Sequence, residues 1–514
     1  MGTVIILKGG LFMFSLAPIF TDHLLLQRNK NIAIFGNGTP GEQITVSIPE
    51  RNLSAICTVA INGKWRVTLP STGAGTNCTL TASSAENHYV FSDIAFGEVW
   101  LAGGQSNMEF MLQNEKYGQA ELEKCEESNV RYFQVPRNTF QDEAYEADLE
   151  KACWELPSKE TAGTWSAAAY LAAKELAEQL GVTVGIIGCN FGGSSVSCWL
   201  PESDLEDISA GHAYLEDYQR ETEEKTDEEM IAEYNEYLVY YEQWSKKMEK
   251  CYREDGNMSW DEIIRRCGEN KWPGPMGIKS PYRPSGMYHA MLQPILPFTL
   301  AGVFYYQGEN DDHRPDTYET LLRQLVLRWR TDFENDNLPI VLVQLPMFAY
   351  ADTPENASWS KIRLAQYRVF HFMREMGLVV ALDQGEFGNI HPINKHAIGH
   401  RLALQAAYLS YGLSAESAFG PLMQSFTPEA HGVKVFFSNA KDGLEFHGEP
   451  ELFELAGSDG IYYSAQAEID GNAVYLTSTE VVNPTAARYA WRNYGAVTLY
   501  GKNGIPVAPF IIHW

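Results

Sequence analysis

The sequence predicts an α/β fold in which a parallel sheet is covered by helices, with all-β regions before and after it. Three observations carry that prediction. From Gly97 to about residue 420, short uncharged apolar runs alternate with helix-length amphipathic stretches, the pattern of strand–helix–strand units. Residues 14–96 show only brief alternating runs between glycine-rich turns. Beyond residue 420 such short runs return. The expected units are an N-terminal β domain at 14–96, an α/β domain at 97–420 and a C-terminal β region at 421–514. A chain of 514 residues has room for about three domains.

In the first unit, residues 31–35 read as a strand, followed by a turn cluster at 36–41 and by alternating Ile44, Val46 and Ile48. Asn62-Gly63 between two apolar runs predicts a hairpin, and a small β-sandwich is expected. In the second unit, strands are expected at 99–102, 182–187, 301–306, 340–345 and 378–382, and helices at 164–180, 318–330 and 359–376. Residues 202–280 interrupt this alternation and are rich in Glu and Tyr. Within them 221–250 reads as a helix with Tyr234, Leu238, Tyr241 and Trp244 on one face. This stretch is expected to be a helical insertion with a solvated acidic face, with a lid or a subunit contact near the site as the functional alternative. In the third unit, 433–437, 473–476 and 508–512 read as strands.

The formal net charge is −27, which argues against nucleic acid and anionic lipid as partners. The uncharged runs at 179–201 and 291–308 are interrupted by Gly, Pro, Asn and Gln, so buried strands beside turns are expected rather than membrane spans. The eight cysteines form no C-x-x-C pair and no zinc-like spacing. Free thiols are expected, and with them a cytoplasmic location. The apolar stretch at 4–20, broken by Lys8 and two glycines, keeps a periplasmic or secreted location as the alternative.

Four segments just past expected strands carry chemistry. Ser106 in Gly103-Gly104-Gln105-Ser106-Asn107-Met108-Glu109 is the nucleophile candidate. A serine on a sharp strand-to-helix turn presents its hydroxyl at the sheet's carboxyl edge. On spacing alone a structural serine competes equally. Gly192-Gly193 in Asn190-Phe191-Gly192-Gly193-Ser194-Ser195 suits an oxyanion hole, against a plain tight turn. In Tyr306-Gln307-Gly308-Glu309-Asn310, Gln307 or Asn310 offers a side-chain N–H and Glu309 a group to orient a base. His391 in Gly388-Asn389-Ile390-His391-Pro392 is the general-base candidate. Together they fit nucleophile, base and oxyanion donors.

At these segments the chain resembles the sialate O-acetylesterase family of SGNH-type hydrolases. The resemblance runs nearly end to end. It includes Pro18-Ile19-Phe20-Thr21-Asp22-His23 with Leu26-Gln27-Arg28, then Gly97-Glu98-Val99-Trp100 leading to Gly104-Gln105-Ser106-Asn107-Met108-Glu109. Tyr306-Gln307-Gly308-Glu309-Asn310, Ile390-His391-Pro392 with Lys395, Gly399, Arg401-Leu402-Ala403-Leu404, Arg488-Tyr489-Ala490-Trp491, Gly504-Ile505-Pro506 and Pro509-Phe510 also match. The resemblance implies a three-layer α/β/α, SGNH-like (flavodoxin-like) hydrolase domain with accessory β-sandwich-like regions. It implies metal-independent, cofactor-free removal of an acetyl ester from a sugar hydroxyl. Ser106 is then the nucleophile and His391 the base. The N–H groups of Ser106 and of Gly192 or Gly193 hold the oxyanion, with Gln307 or Asn310 as side-chain donor. Gln105, Asn107 and Arg363 are the candidate substrate-binding residues, Arg363 as the cation for a sialate carboxylate.

One departure stands out. Where such hydrolases commonly carry an Asp three residues before the His, or two before it in relatives of this family, this chain has Gly388 and Asn389. The acid is then Glu309, Asp383 or Glu386, or the site runs as a Ser–His dyad; Glu309 is preferred, since related acetyl esterases recruit the Glu of this motif. The partner expected is an acetylated sugar or oligosaccharide, sialylated or of the acetylxylan type, and a homodimer is left open. Two other classes compete: a glycoside hydrolase using paired carboxylates, and a non-catalytic carbohydrate-binding protein.

Overall fold

The computed structural model describes residues 13–255, 258, 260–350 and 355–514. The apolar stretch at 4–20 thus lies largely outside the described residues. The fold is mixed α/β with additional β-sheets. Its spine is the strand His88–Gly104, 17 residues long, whose first half is largely exposed and whose second half is buried throughout. The change in burial marks its passage from one environment into another. The first half pairs antiparallel with Gly75–Ser83, and further along Leu25–Gln27 lies parallel to it. The second half pairs parallel with Val184–Asn190 on one side and Gly302–Tyr306 on the other. The expected boundary between residues 96 and 97 therefore falls inside one continuous strand.

Across the central sheet the order is Trp154–Glu155, Val130–Gln134, Val184–Asn190, His88–Gly104, Gly302–Tyr306, Ile340–Val343 and Met376–Val379. All these pairs are parallel except the short Trp154–Glu155 edge. The chain leaves the middle strand, builds one side and then the other. Strand order reverses at that strand, and a cleft opens at the carboxyl ends on either side of such a reversal.

The helices follow local rules. Ala167–Leu180 starts at Ser166, whose hydroxyl accepts from Ala169 N, and ends at Gly181 in the left-handed conformation. It packs against His396–Tyr411, and Tyr318–Asp332 packs against Ser358–Phe372. Gly399 permits the first pairing, because a Cβ there would lie 2.5 Å from Leu171 Cβ.

Three expectations are corrected. The helix expected to reach residue 376 stops at Phe372, and Glu375 at φ 52° turns the chain into the strand Met376–Val379. The Asn62-Gly63 turn closes, with Ala60 N bonded to Lys64 O, but it does not head a hairpin. Leu53–Thr58 pairs with Gln43–Ile48, whereas Lys64–Leu69 pairs with Ile32–Asn37. The turn carries the chain from one sheet to another. In the insertion, the long helix Asp227–Glu254 buries Met230, Tyr234, Tyr237 and Trp244, while Leu238 is exposed. The ring stack Tyr237–Tyr241–Trp244 sets that face.

The C-terminal region forms three small antiparallel sheets. Their buried residues join the same core as the central sheet. Among the described residues no helix is long and apolar enough to cross a membrane.

Candidate active site

Ser106 opens a one-turn helix, Ser106–Glu109, directly after the middle strand. Gly104 makes the turn feasible. It sits at φ 127°, and a Cβ there would lie 2.1 Å from Tyr306 O. No larger residue fits that close approach to the neighbouring strand. As first residue of the turn, Ser106 has an N–H with no preceding helical carbonyl to bond.

The structure brings His391 to Ser106: Nε2 and Oγ are 2.8 Å apart. The two residues are 285 positions apart in sequence and meet at the carboxyl edge of the sheet. Burial, and then the charge of Lys395, hold the His391 imidazole below its ordinary pKa. The ring is therefore neutral and able to accept a proton over a wider pH range.

No carboxylate among the described residues bonds the other ring nitrogen of His391. Asn389, two residues before it, turns its side-chain oxygen to His391 N at 3.0 Å and donates to Glu386 at 2.8 Å. Glu386 also accepts from Ile393 N at 3.1 Å and so braces the loop. Asp383 is held by Arg401 through two bonds of 2.6 and 2.8 Å. Glu309, the preferred acid, is not on the histidine. It is buried, with Oε1 accepting from Asn107 Nδ2 at 2.6 Å and Oε2 without a partner. Burial raises its pKa, against the lowering effect of the Asn107 bond.

Asn107 is the centre of a buried network. Its amide donates to Glu309 and to Ile390 O at 3.0 Å, and its oxygen accepts from Lys395 Nζ at 2.6 Å. Ile390 directly precedes His391, and Asn107 directly follows Ser106, so this one amide ties the two turns together. It is spent on that network and is not a substrate ligand, contrary to expectation. Lys395 lies between the rings of Phe110 and Tyr306, and burial pushes its pKa down to about 8. Sequence reasoning matched Lys395 without giving it a role.

The expected oxyanion donors divide. Gly192 N is bonded to Glu109 Oε2 at 2.6 Å and is not free. Gln307 is fully buried, donating to Ser194 O and to Asp311 and accepting from Tyr318. Neither matches its expected role, because each is already paired inside the protein. Gly193 N–H and the side-chain amide of the half-buried Asn310 have no partners among the described residues. Gln105 accepts from Gly308 N and Asn310 N, each at 3.3 Å, and so shapes that loop; its amide nitrogen has no partner among the described residues.

Arg363 is corrected outright. It is fully buried and donates to Ser360 and to the carbonyls of Ala490 and Arg492. Burial lowers its pKa to about 9. It fastens the C-terminal region to the helix Ser358–Phe372 and reaches no cleft. Among the described residues no cluster of three or more His, Cys, Asp or Glu is arranged to hold a metal.

Comparison with known proteins bears on this arrangement. Residues 277–407 match the family model for carbohydrate esterase, sialic acid-specific acetylesterase. The sialate O-acetylesterase of Mus musculus is 24% identical over 97% of this chain and 94% of its own length. The human enzyme is 24% identical over 97% and 92%. The crystal structure of a carbohydrate acetylesterase from Xanthomonas citri superposes with a TM-score of 0.77 at 25% identity, covering 97% of this chain and all of that one. Over nearly its whole length the chain is similar to the sialate O-acetylesterases. It is a carboxylic ester hydrolase.

The insertion also reaches the site, which sequence reasoning had left as an alternative. Tyr214 donates to Asp311 at 2.6 Å, and Trp272 lies against Gly193. Only the excess of aromatic residues in the insertion hinted at this.

Proposed function

We propose that this protein is a serine esterase that removes O-acetyl groups from sugar hydroxyls, with Ser106 and His391 working as a dyad on an SGNH-like, three-layer α/β/α domain. The observation that carries the reading is the 2.8 Å contact between Ser106 Oγ and His391 Nε2 at the sheet's reversal point. The two helix pairs packed around a parallel sheet support the layer assignment.

The reaction is a two-step acyl transfer. His391 Nε2 takes the Ser106 proton as Oγ attacks the acetyl carbonyl. Ser106 N–H, Gly193 N–H and the Asn310 side-chain amide, unengaged among the described residues, are the donors for the oxyanion. The tetrahedral adduct collapses, His391 returns the proton to the departing sugar oxygen, and an acetyl-serine remains. Water, deprotonated by His391, then attacks the acetyl group, and acetate leaves as Ser106 recovers its proton.

The sugar is an O-acetylated one, as for the relatives named sialate O-acetylesterase. Acetate release across acetylated sialic acids and acetylated xylo-oligosaccharides measures the preference. On the preferred ester, Ser106→Ala should lower kcat by at least about 10³-fold, with an unchanged circular dichroism spectrum. A loss under tenfold would remove Ser106 from the role of nucleophile. Glu309→Gln separates dyad from triad. A triad acid is worth about 10⁴-fold in kcat, whereas the dyad reading predicts a loss within about tenfold.

A further inference from the structure

We propose that Trp272, carried by the acidic insertion, is the platform on which a sugar ring of the substrate stacks beside Ser106. The proposal rests on the esterase reading above and adds a specificity residue to it.

Trp272 is exposed, at 43%. Large aromatic rings are normally buried for the apolar area they remove from water. This ring is exposed and yet fixed. Its Nε1 donates to Tyr282 OH at 3.0 Å, and the Tyr282 ring stands at 77° to it, with centroids 5.6 Å apart. Tyr282 in turn meets Phe191 edge-on at 6.0 Å. The backbone is held as well, with Trp272 N bonded to Asn270 and Gly274 N to Lys271 O. The polar atom of the indole is thus satisfied inside the protein, and the exposed part of the ring is hydrocarbon.

Its position links it to the chemistry. A Cβ on Gly193 would lie 2.5 Å from Trp272 Cζ2. A Cβ on the adjacent Gly192 would lie 3.4 Å from Ser106 Cβ. The indole therefore stands one glycine beyond the one that touches the nucleophile. Side chains at 192 and 193 would separate the two, and Gly193 also adopts φ 73°. An acetyl methyl is too small to need such a surface. A pyranose ring presents a flat C–H face to an aromatic ring and keeps its hydroxyls at the rim, which suits a rigid, half-exposed indole.

The test compares an acetylated oligosaccharide with a small aliphatic acetate ester, in wild type, Trp272→Ala and Trp272→Phe. For Trp272→Ala, the ratio of kcat/KM on the oligosaccharide to kcat/KM on the small ester should fall about tenfold. The fall should lie in KM, and Trp272→Phe should recover most of it. An unchanged ratio would overturn the proposal. So would equal losses on both esters, because the indole would then only prop up the Gly192–Gly193 turn. If the wild type released acetate from neither ester, the esterase reading itself would fail, and this proposal with it.

Discussion

At the scale of single residues, the site is organised by what lies behind Ser106 and His391. His391 has neutral surroundings on its ring and a cation nearby, so its protonated form is disfavoured twice, by burial and then by Lys395. A base must be neutral to accept the Ser106 proton. The expected acid limb of kcat/KM therefore lies below the ordinary histidine value of about 6.5. Lys395→Met removes the cation and leaves the burial. Since the nearby positive charge lowers the histidine pKa, its removal raises it, and the acid limb should move to higher pH. A pH profile of acetate release measures this; a limb that stays in place would show that Lys395 acts only by holding Asn107. This part of the site was half legible. Ser106, His391 and Asn310 stand out because each follows an apolar strand and has side-chain chemistry suited to acyl transfer. The surroundings of Glu309 were not legible, because a sequence shows that an acid sits at a strand end, but not that an amide from another strand end, Asn107, bonds its oxygen at 2.6 Å.

At the scale of elements, two motifs separated by about 70 residues turn out to be one joint. Gln27 ends a short strand that lies parallel to the middle strand, opposite Gly97, and Arg28 follows it. Gln27 donates to Glu98 at 2.8 Å, Arg28 donates to it at 2.6 Å, and Val99 N donates to Gln27 at 2.8 Å. Glu98 is buried, and its two oxygens are taken by these partners. Arg28→Ala should cost about 3 kcal/mol by leaving a buried carboxylate under-paired. The double variant Arg28→Ala/Glu98→Gln should recover part of that loss, because the unpaired charge goes with it. Urea unfolding of the single and double variants checks the coupling; additive losses would show that the pair is not a joint. The strands themselves were readable from their apolar runs, since period and length are local properties. The partner of a strand is not local. That is why the Asn62-Gly63 turn looked like a hairpin although its two sides belong to different sheets.

At the scale of the whole molecule, the β regions are structural parts of the α/β body rather than appendages. The middle strand is shared with the N-terminal sheet. The C-terminal region is gripped by Arg363, a buried cation that donates to the carbonyls of Ala490 and Arg492. From sequence, an arginine on an amphipathic helix invites an anionic ligand. Its burial reverses that reading, because a fully buried guanidinium bonded to the carbonyls of Ala490 and Arg492 has no face left for a substrate. The two roles predict different outcomes for Arg363→Ala. An arm for a sialate carboxylate would lower activity on acetylated sialic acids and spare neutral acetylated sugars. A fastener should lower stability by about 3 kcal/mol, through the cavity and the unpaired carbonyls it leaves, and should leave the ratio of the two activities unchanged. Urea unfolding, with acetate release from one substrate of each kind, distinguishes the two, and a fall in the sialate activity alone would return Arg363 to the site.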